Sequence, residues 1–139
     1  MTPVSREPTR GILTSTVILL SPLEDITHLP DVPLITAVTL AELSVGPLVA
    51  VDSAERAARQ AHLQQAEADF EPLPFDAAAA RAFGRVAASL RQSGRKSSAR
   101  SLDAMIAATA ISNQLPLYTC NPADFIGIDE LQVVAVPMP

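Results

Sequence analysis

The chain has no tryptophan, one tyrosine, four phenylalanines and a single cysteine, Cys120. One cysteine excludes an intrachain disulfide, and the expected setting is a reducing cytoplasm. Two histidines and that cysteine cannot close a four-ligand zinc site, so any metal has to be a hard cation held by oxygen. Long apolar runs are missing too: Val17 to Leu20 stops at Ser21-Pro22, far short of the ~20 residues that span a membrane. The start of the chain, with Arg6, Glu7, Pro8 and Arg10 ahead of Gly11, lacks the basic-then-apolar order of a signal peptide. The five glycines do not cluster, which leaves neither a phosphate-binding loop nor a Gly-x-Gly-x-x-Gly turn and argues against a nucleotide-binding α/β domain.

What is present suits one folded domain. The 139 residues are 48% hydrophobic and 18% charged, enough apolar material for a core and too little charge for general disorder. Residues 1–9 are polar, carry two prolines and show no periodicity, so they are expected to be a loose tail ahead of a single domain over 10–139. Net charge is −5, which argues against simple adhesion to nucleic acid. The distribution is uneven, because six of the ten cations lie between Arg81 and Arg100 in a stretch without Asp or Glu. That stretch is either the solvated face of a helix or a local patch that attracts phosphate.

The pattern predicts a strand over 10–13. Thr14-Ser15-Thr16 then offers hydroxyl caps before Val17 to Leu20, which pattern alone does not assign to strand or helix. A strand is expected over 33–38, then a helix capped by Thr39 that Gly46-Pro47 should end or kink. Helices are expected from Ser53 to about Phe70, from Asp76 to Ser93-Gly94, and from Ser101 past Ile111. Strands at 115–119 and 131–136 flank a short turn opened by Asn121-Pro122. Strands alternating with helices predict an α/β fold with a mainly parallel sheet and helices on both faces, and such sheets bind ligands at the carboxyl ends of their strands.

Three carboxylates fall where that geometry is informative. Glu42 follows the second strand, Asp103 opens the most apolar helix, and Asp124 follows the third clear strand. Each has a plain alternative: Glu42 as a solvated side chain, Asp103 as a favourable charge at a helix start, and Asp124 as part of a cap with Asn121 and Pro122. Gathered at one sheet edge they would repel one another unless a divalent cation neutralised them. Mg²⁺ and Mn²⁺ prefer such oxygen donors, and a metal-bound water is a nucleophile for a phosphodiester.

Four segments carry a family likeness: Gly-Ile-Leu-Thr-Ser-Thr-Val-Ile-Leu-Leu (11–20), Val-Thr-Leu-Ala-Glu-Leu-Ser-Val-Gly (38–46), Ser-Leu-Asp-Ala-Met-Ile-Ala-Ala-Thr-Ala (101–110) and Tyr-Thr-Cys-Asn-Pro-Ala-Asp-Phe (118–125). In that order they resemble PIN-domain ribonucleases, and among these the toxins of VapBC toxin–antitoxin pairs. The resemblance implies a three-layer α/β/α sandwich, Mg²⁺ or Mn²⁺ dependence, endonucleolytic cleavage of RNA, a homodimer, and neutralisation by a cognate antitoxin lying in an apolar groove between the early helices. It also implies that Glu42 and Asp103 are acidic metal-site residues, that Asp124, or the position of Asn121, completes the group, and that a helix starts after Thr14. Ser15 and Asn121 are expected as polar support. Arg95, Lys96 and Arg100 are expected to guide substrate phosphate, on charge and position alone.

The first segment departs from the family pattern Leu-Asp-Thr-Ser, because Leu13 is followed directly by Thr14-Ser15-Thr16. Either Thr14 replaces the aspartate or one aspartate is lost before it; an insertion there would restore Leu-Asp-Thr-Ser, and the register favours that reading. Neutral hydroxyls do not replace a carboxylate ligand, so impaired turnover is expected. The alternative is a catalytically inactive module of the same fold that binds an antitoxin and contributes to repression of its own operon.

Overall fold

The computed structural model describes residues 7–19, 28–95 and 100–138. Strand β1 (Arg10–Leu13) leads to a single-turn helix α1 (Ser15–Ile18), which resolves the ambiguous segment as far as Leu19; Leu20 lies outside the described residues. Strand β2 (Val32–Leu34) precedes helices α2 (Ala37–Val49), α3 (Ser53–Asp69), α4 (Ala77–Gln92) and α5 (Ser101–Ser112). Strand β3 (Leu117–Thr119), a 3₁₀ turn (Pro122–Phe125) and strand β4 (Val133–Ala135) complete the order. The four strands form one parallel sheet in the order β2-β1-β3-β4.

Alternation along the central strands builds the layers, since successive side chains point to opposite faces. Ile12 and Leu117 join the large cluster with α4 and α5, through Val86, Leu90, Ile106 and Ala107. Leu13 and Tyr118, one residue on in each strand, join a second cluster with Val17, Val136 and Phe70. Helices therefore cover both faces, as expected of an α/β/α sandwich. Helix α5 is buried nearly all round, from Ala104 to Ala110 with Met105 half-buried, and is the central helix of its layer. Gly11 lets the aromatic ring of Tyr118 lie directly on β1; a Cβ there would run into that ring.

Several boundaries differ from expectation for identifiable reasons. Helix α2 starts at Ala37 because the buried Thr36, not Thr39, is its cap: the Thr36 hydroxyl accepts from the Thr39 amide at 3.0 Å. The preceding strand is correspondingly shorter than 33–38. Pro47 does not end α2, which runs on to Val49. In the last turn a proline removes only one intrahelical bond, and the carbonyls of Gly46 and Pro47 accept from Arg59 (2.9 Å) and Arg56 (3.3 Å) of α3. Helix α3 starts at Ser53 as expected, capped by Asp52, which accepts from the Glu55 amide at 2.7 Å. Thr9, expected in the loose tail, is tied to Asp31 by two hydrogen bonds of 2.9 Å; the tail before Glu7 lies outside the described residues. Helix α4 ends as its Ser93-Gly94 signal predicts, with Gly94 at φ +80° and the Arg95 amide closing back on the Leu90 carbonyl at 2.9 Å.

Candidate functional site

From β1 the chain crosses to β2 on one side and later returns to β3 on the other, so the direction of winding reverses between β1 and β3. The crevice at the carboxyl ends of these two strands is where an open α/β sheet binds ligands. Thr14 follows β1 and is buried, with its amide bonded to the Tyr118 carbonyl at 3.0 Å. The β1–β3 ladder is unbroken from Ile12 to this point, α1 begins at once, and Val17 is fully buried. Leu13 runs directly into Thr14 at the end of β1, and a substituted aspartate and one lost before Thr14 give this same closed junction.

Hydroxyls bind the crevice together. Thr14 and Thr16 share a hydrogen bond of 2.8 Å, Thr16 and Thr119 are 3.4 Å apart, and the Thr16 hydroxyl accepts from the Cys120 amide at 3.2 Å. The Thr119 hydroxyl in turn accepts from the Asn121 amide at 3.1 Å. Thr16 and Thr119 were not singled out from the sequence, although hydroxyl residues just beyond two strand ends are a readable signal. Ser15 lies beside this network and lines a cleft of about 330 Å³ with Leu19, Glu42, Leu43, Gly46, Arg59 and His62. Arg59 and His62, three residues apart on α3, were also missed.

Glu42 and Asp103 share one electrostatic environment. Burial is the main cause that raises the Glu42 pKa above its ordinary value, and the charge of Asp103 raises it further. The Asp103 pKa is likewise raised, first by burial and then by Asp124, while Arg100 pulls it down. The three expected carboxylates thus form a linked series, from α2 to the first turn of α5 to the 3₁₀ turn after β3.

The cations behave differently from a free phosphate-guiding patch. Arg100, just ahead of α5, places Nη1 at 2.7 Å from Asp124 Oδ1 and 3.9 Å from Asp103 Oδ2. Asn121 donates its side-chain amide to the other Asp124 oxygen at 2.9 Å. Arg95 donates to the carbonyls of Ala123 (3.2 Å) and Ile126 (2.9 Å), clamping the end of α4 onto the 3₁₀ turn. Lys96 lies outside the described residues.

A hard divalent cation was tested against this donor set. Among the described residues no group of three His, Cys, Asp or Glu side chains is gathered closely enough to hold a metal ion. Mg²⁺, however, is commonly bound by one or two carboxylates, with water and substrate phosphate completing its shell. Glu42 and Asp103 are half-buried, and each has its pKa raised by burial and by a neighbouring carboxylate, Asp103 for Glu42 and Asp124 for Asp103, so they fit that smaller requirement.

A parallel sheet in this order with helices on both faces has the architecture of a PIN domain. The PIN-domain family model matches residues 19–131, and the chain belongs to that family. Among curated proteins, Ribonuclease VapC5 of Mycobacterium tuberculosis is 40% identical over 129 residues, covering 91% of this chain and 93% of the relative. The crystal structure of VapBC-5, a member of the VapBC family of toxin-antitoxin systems from Mycobacterium tuberculosis, matches with a TM-score of 0.80 at 39% identity, over 93% of this chain and all of that one. DNA-bound VapBC from Salmonella typhimurium shares the fold, with a TM-score of 0.73 at 23% identity over 90% of this chain and 96% of that one.

Proposed function

We propose that this chain is the toxin of a toxin–antitoxin pair, an Mg²⁺- or Mn²⁺-dependent RNA endonuclease acting in the cytoplasm, with turnover lowered by Thr14. The observation that carries the reading is the linked series of Glu42, Asp103 and Asp124: Glu42 lines one cleft with Ser15 just past β1, the charge of Asp103 raises the Glu42 pKa, and that of Asp124 raises the Asp103 pKa. The likeness to a ribonuclease over most of the chain supports RNA as substrate.

Glu42 and Asp103 would hold the cation. A bound cation supplies charge neutralisation at the scissile phosphate and a water of lowered pKa. Asp124, fixed by Arg100 and Asn121, borders that pair and keeps the first turn of α5 aligned with the 3₁₀ turn. The Thr14, Thr16 and Thr119 hydroxyls fix the strand ends against each other, and Ser15 faces the cleft that Glu42 lines. A guanidinium carries five N–H donors, more than the carbonyls on Arg95 take, so Arg95 retains capacity to meet a backbone phosphate at the rim.

Exposed apolar side chains support a protein-binding face at the end of α2. At the end of α2, Leu48 is 82% exposed and Val51 just beyond is 92% exposed, with Val45 and Val49 beside them. Such a contiguous patch on a small protein suits a protein partner, here the antitoxin. A two-fold homodimer is the default assembly.

A second reading rests on Thr14 itself: with one carboxylate fewer, the chain is an inactive module that holds its antitoxin and contributes to operon repression. Incubating the purified chain with RNA and Mn²⁺, beside Glu42→Gln and Asp103→Asn, separates the two. Scission that both substitutions abolish supports the nuclease; antitoxin binding without any scission supports the module.

A further inference from the structure

We propose that Arg100 is a positioning residue, the chain's own counter-cation, which with Asn121 holds Asp124 out of the metal set and leaves Glu42 and Asp103 as the carboxylates that meet the cation. The inference rests on the reading of Glu42 and Asp103 as metal-facing, and it revises the expectation that Asp124 is a third ligand.

Both oxygens of Asp124 are already engaged, Oδ1 by Arg100 at 2.7 Å and Oδ2 by the Asn121 amide at 2.9 Å. The same Arg100 nitrogen is 3.5 Å from the Asp124 carbonyl and 3.9 Å from Asp103. The guanidinium is therefore committed to Asp124 and only leans on Asp103. Sequence order makes this stable: Arg100 and Asp103 are one helical turn apart at the start of α5, while Asn121 and Asp124 span the 3₁₀ turn after β3, so the contact joins two elements that flank the crevice. Arg100, Asp103 and Asp124 are each about one-third exposed or less, so the contact is neither fully screened nor sealed from an arriving ion. A carboxylate with a charged donor on one oxygen and an amide on the other gives up two hydrogen bonds before it can ligate metal. Asp103, with Arg100 only at 3.9 Å, gives up much less.

Arg100 and Asp124 thus cancel in charge, and each removed alone unbalances the site in an opposite direction. Arg100→Gln releases Asp124 to add negative charge beside Asp103. Asp124→Asn releases the guanidinium onto Asp103, where it competes with the cation. Removing both restores the balance. For a unit charge a few ångströms away in a partly screened site, each single change is expected to shift metal affinity on the order of tenfold.

The test is Mn²⁺ titration by calorimetry, without RNA, on the unmodified chain, Arg100→Gln, Asp124→Asn and the double variant, with metal-free thermal unfolding of the same four. The proposal expects Arg100→Gln to bind Mn²⁺ more tightly, Asp124→Asn more weakly, and the double variant within about threefold of the parent. Equal weakening by Asp124→Asn with and without Arg100 makes Asp124 a direct ligand and overturns the proposal. So does Arg100→Gln with unchanged or weaker affinity. Without metal, the two substitutions are expected to be non-additive, the double costing no more than either single. Additive losses overturn the pairing even where metal binding is intact. Failure of all four chains to bind Mn²⁺ overturns the metal-facing reading and the proposal's metal half with it, and intact metal-free coupling then shows that the pairing is not what failed.

Discussion

Thr14→Asp puts a carboxylate back at the end of β1, and the structure sets the sign of two opposing effects. Thr14 is 5% exposed, and its hydroxyl bonds Thr16 at 2.8 Å. Losing that bond costs about 1 kcal/mol. If the new charge stands within roughly 6 Å of Glu42 or Asp103, Coulomb repulsion at an effective dielectric of ~20 costs roughly 3 kcal/mol more. Without metal, the variant is expected to lose about 4 kcal/mol of unfolding free energy in a urea titration. Metal acts the other way, because a third carboxylate joins the donors. At a free concentration a hundred times its Kd, a cation that binds only the folded chain restores about 2.7 kcal/mol. The variant should therefore show a much larger Mg²⁺-induced rise in Tm than the parent, and RNA scission faster by on the order of tenfold to a hundredfold. Equal activity in both chains, or a Thr14→Asp variant as stable without metal as the parent, would refute the placement of Thr14 in the metal crevice.

The same repulsion predicts a pH dependence. Glu42 and Asp103 have folded pKa values raised above their ordinary 4.5 and 3.8, so the metal-free fold binds their protons more tightly than the unfolded chain does. Their stabilising contribution is complete below those ordinary values and is lost as pH rises through the raised ones, so metal-free stability should fall from about pH 4 upward. Glu42→Gln and Asp103→Asn should flatten that fall and raise metal-free Tm at neutral pH while removing RNA cleavage; a lower Tm for both would contradict the burial and repulsion described. Ile106→Ala in the fully packed face of α5, where Ile106 is 1% exposed, should cost about 2–5 kcal/mol in denaturant unfolding, and a loss below 1 kcal/mol would deny it a core position. Gly11→Ala should destabilise by more than the usual preference of a strand for alanine over glycine, because its methyl meets the Tyr118 ring; a neutral result would show that the ring swings away freely.

The order of elements was legible because it depends on residues that signal locally. Asp76 with Ala79, Phe83, Val86 and Leu90 specifies α4, and Ser93-Gly94 its end, without reference to the rest of the chain. The start of α2 was misread because Thr36 and Thr39 are equally good caps in isolation, and its continuation past Pro47 was not legible because the carbonyls of Gly46 and Pro47 meet Arg59 and Arg56 of the next helix. The acidic residues could be picked out by type and by place relative to strand ends. The roles of the arginines could not, since a basic stretch read along the chain does not show that Arg95 ends on two turn carbonyls and Arg100 on Asp124.

Adding a carboxylate at position 14 would change the balance of such a site. With an aspartate at position 14, the crevice would hold Glu42, Asp103 and a third charge beside Asp124, with Arg100 as the nearby counter-cation, and only a divalent ion would relieve the excess. With Thr14, the hydroxyls of Thr14, Thr16 and Thr119 join into a network that satisfies itself without any ion. The metal-free fold thereby gains stability in the place where a metal-bound form would have one carboxylate donor fewer. The two effects have one cause, so a substitution that strengthens metal binding at position 14 must weaken the empty fold. An antitoxin that places a basic side chain in the crevice should therefore gain affinity for the Thr14→Asp chain in proportion to the repulsion it relieves, and by this argument toxin activity and tightness of neutralisation rise together.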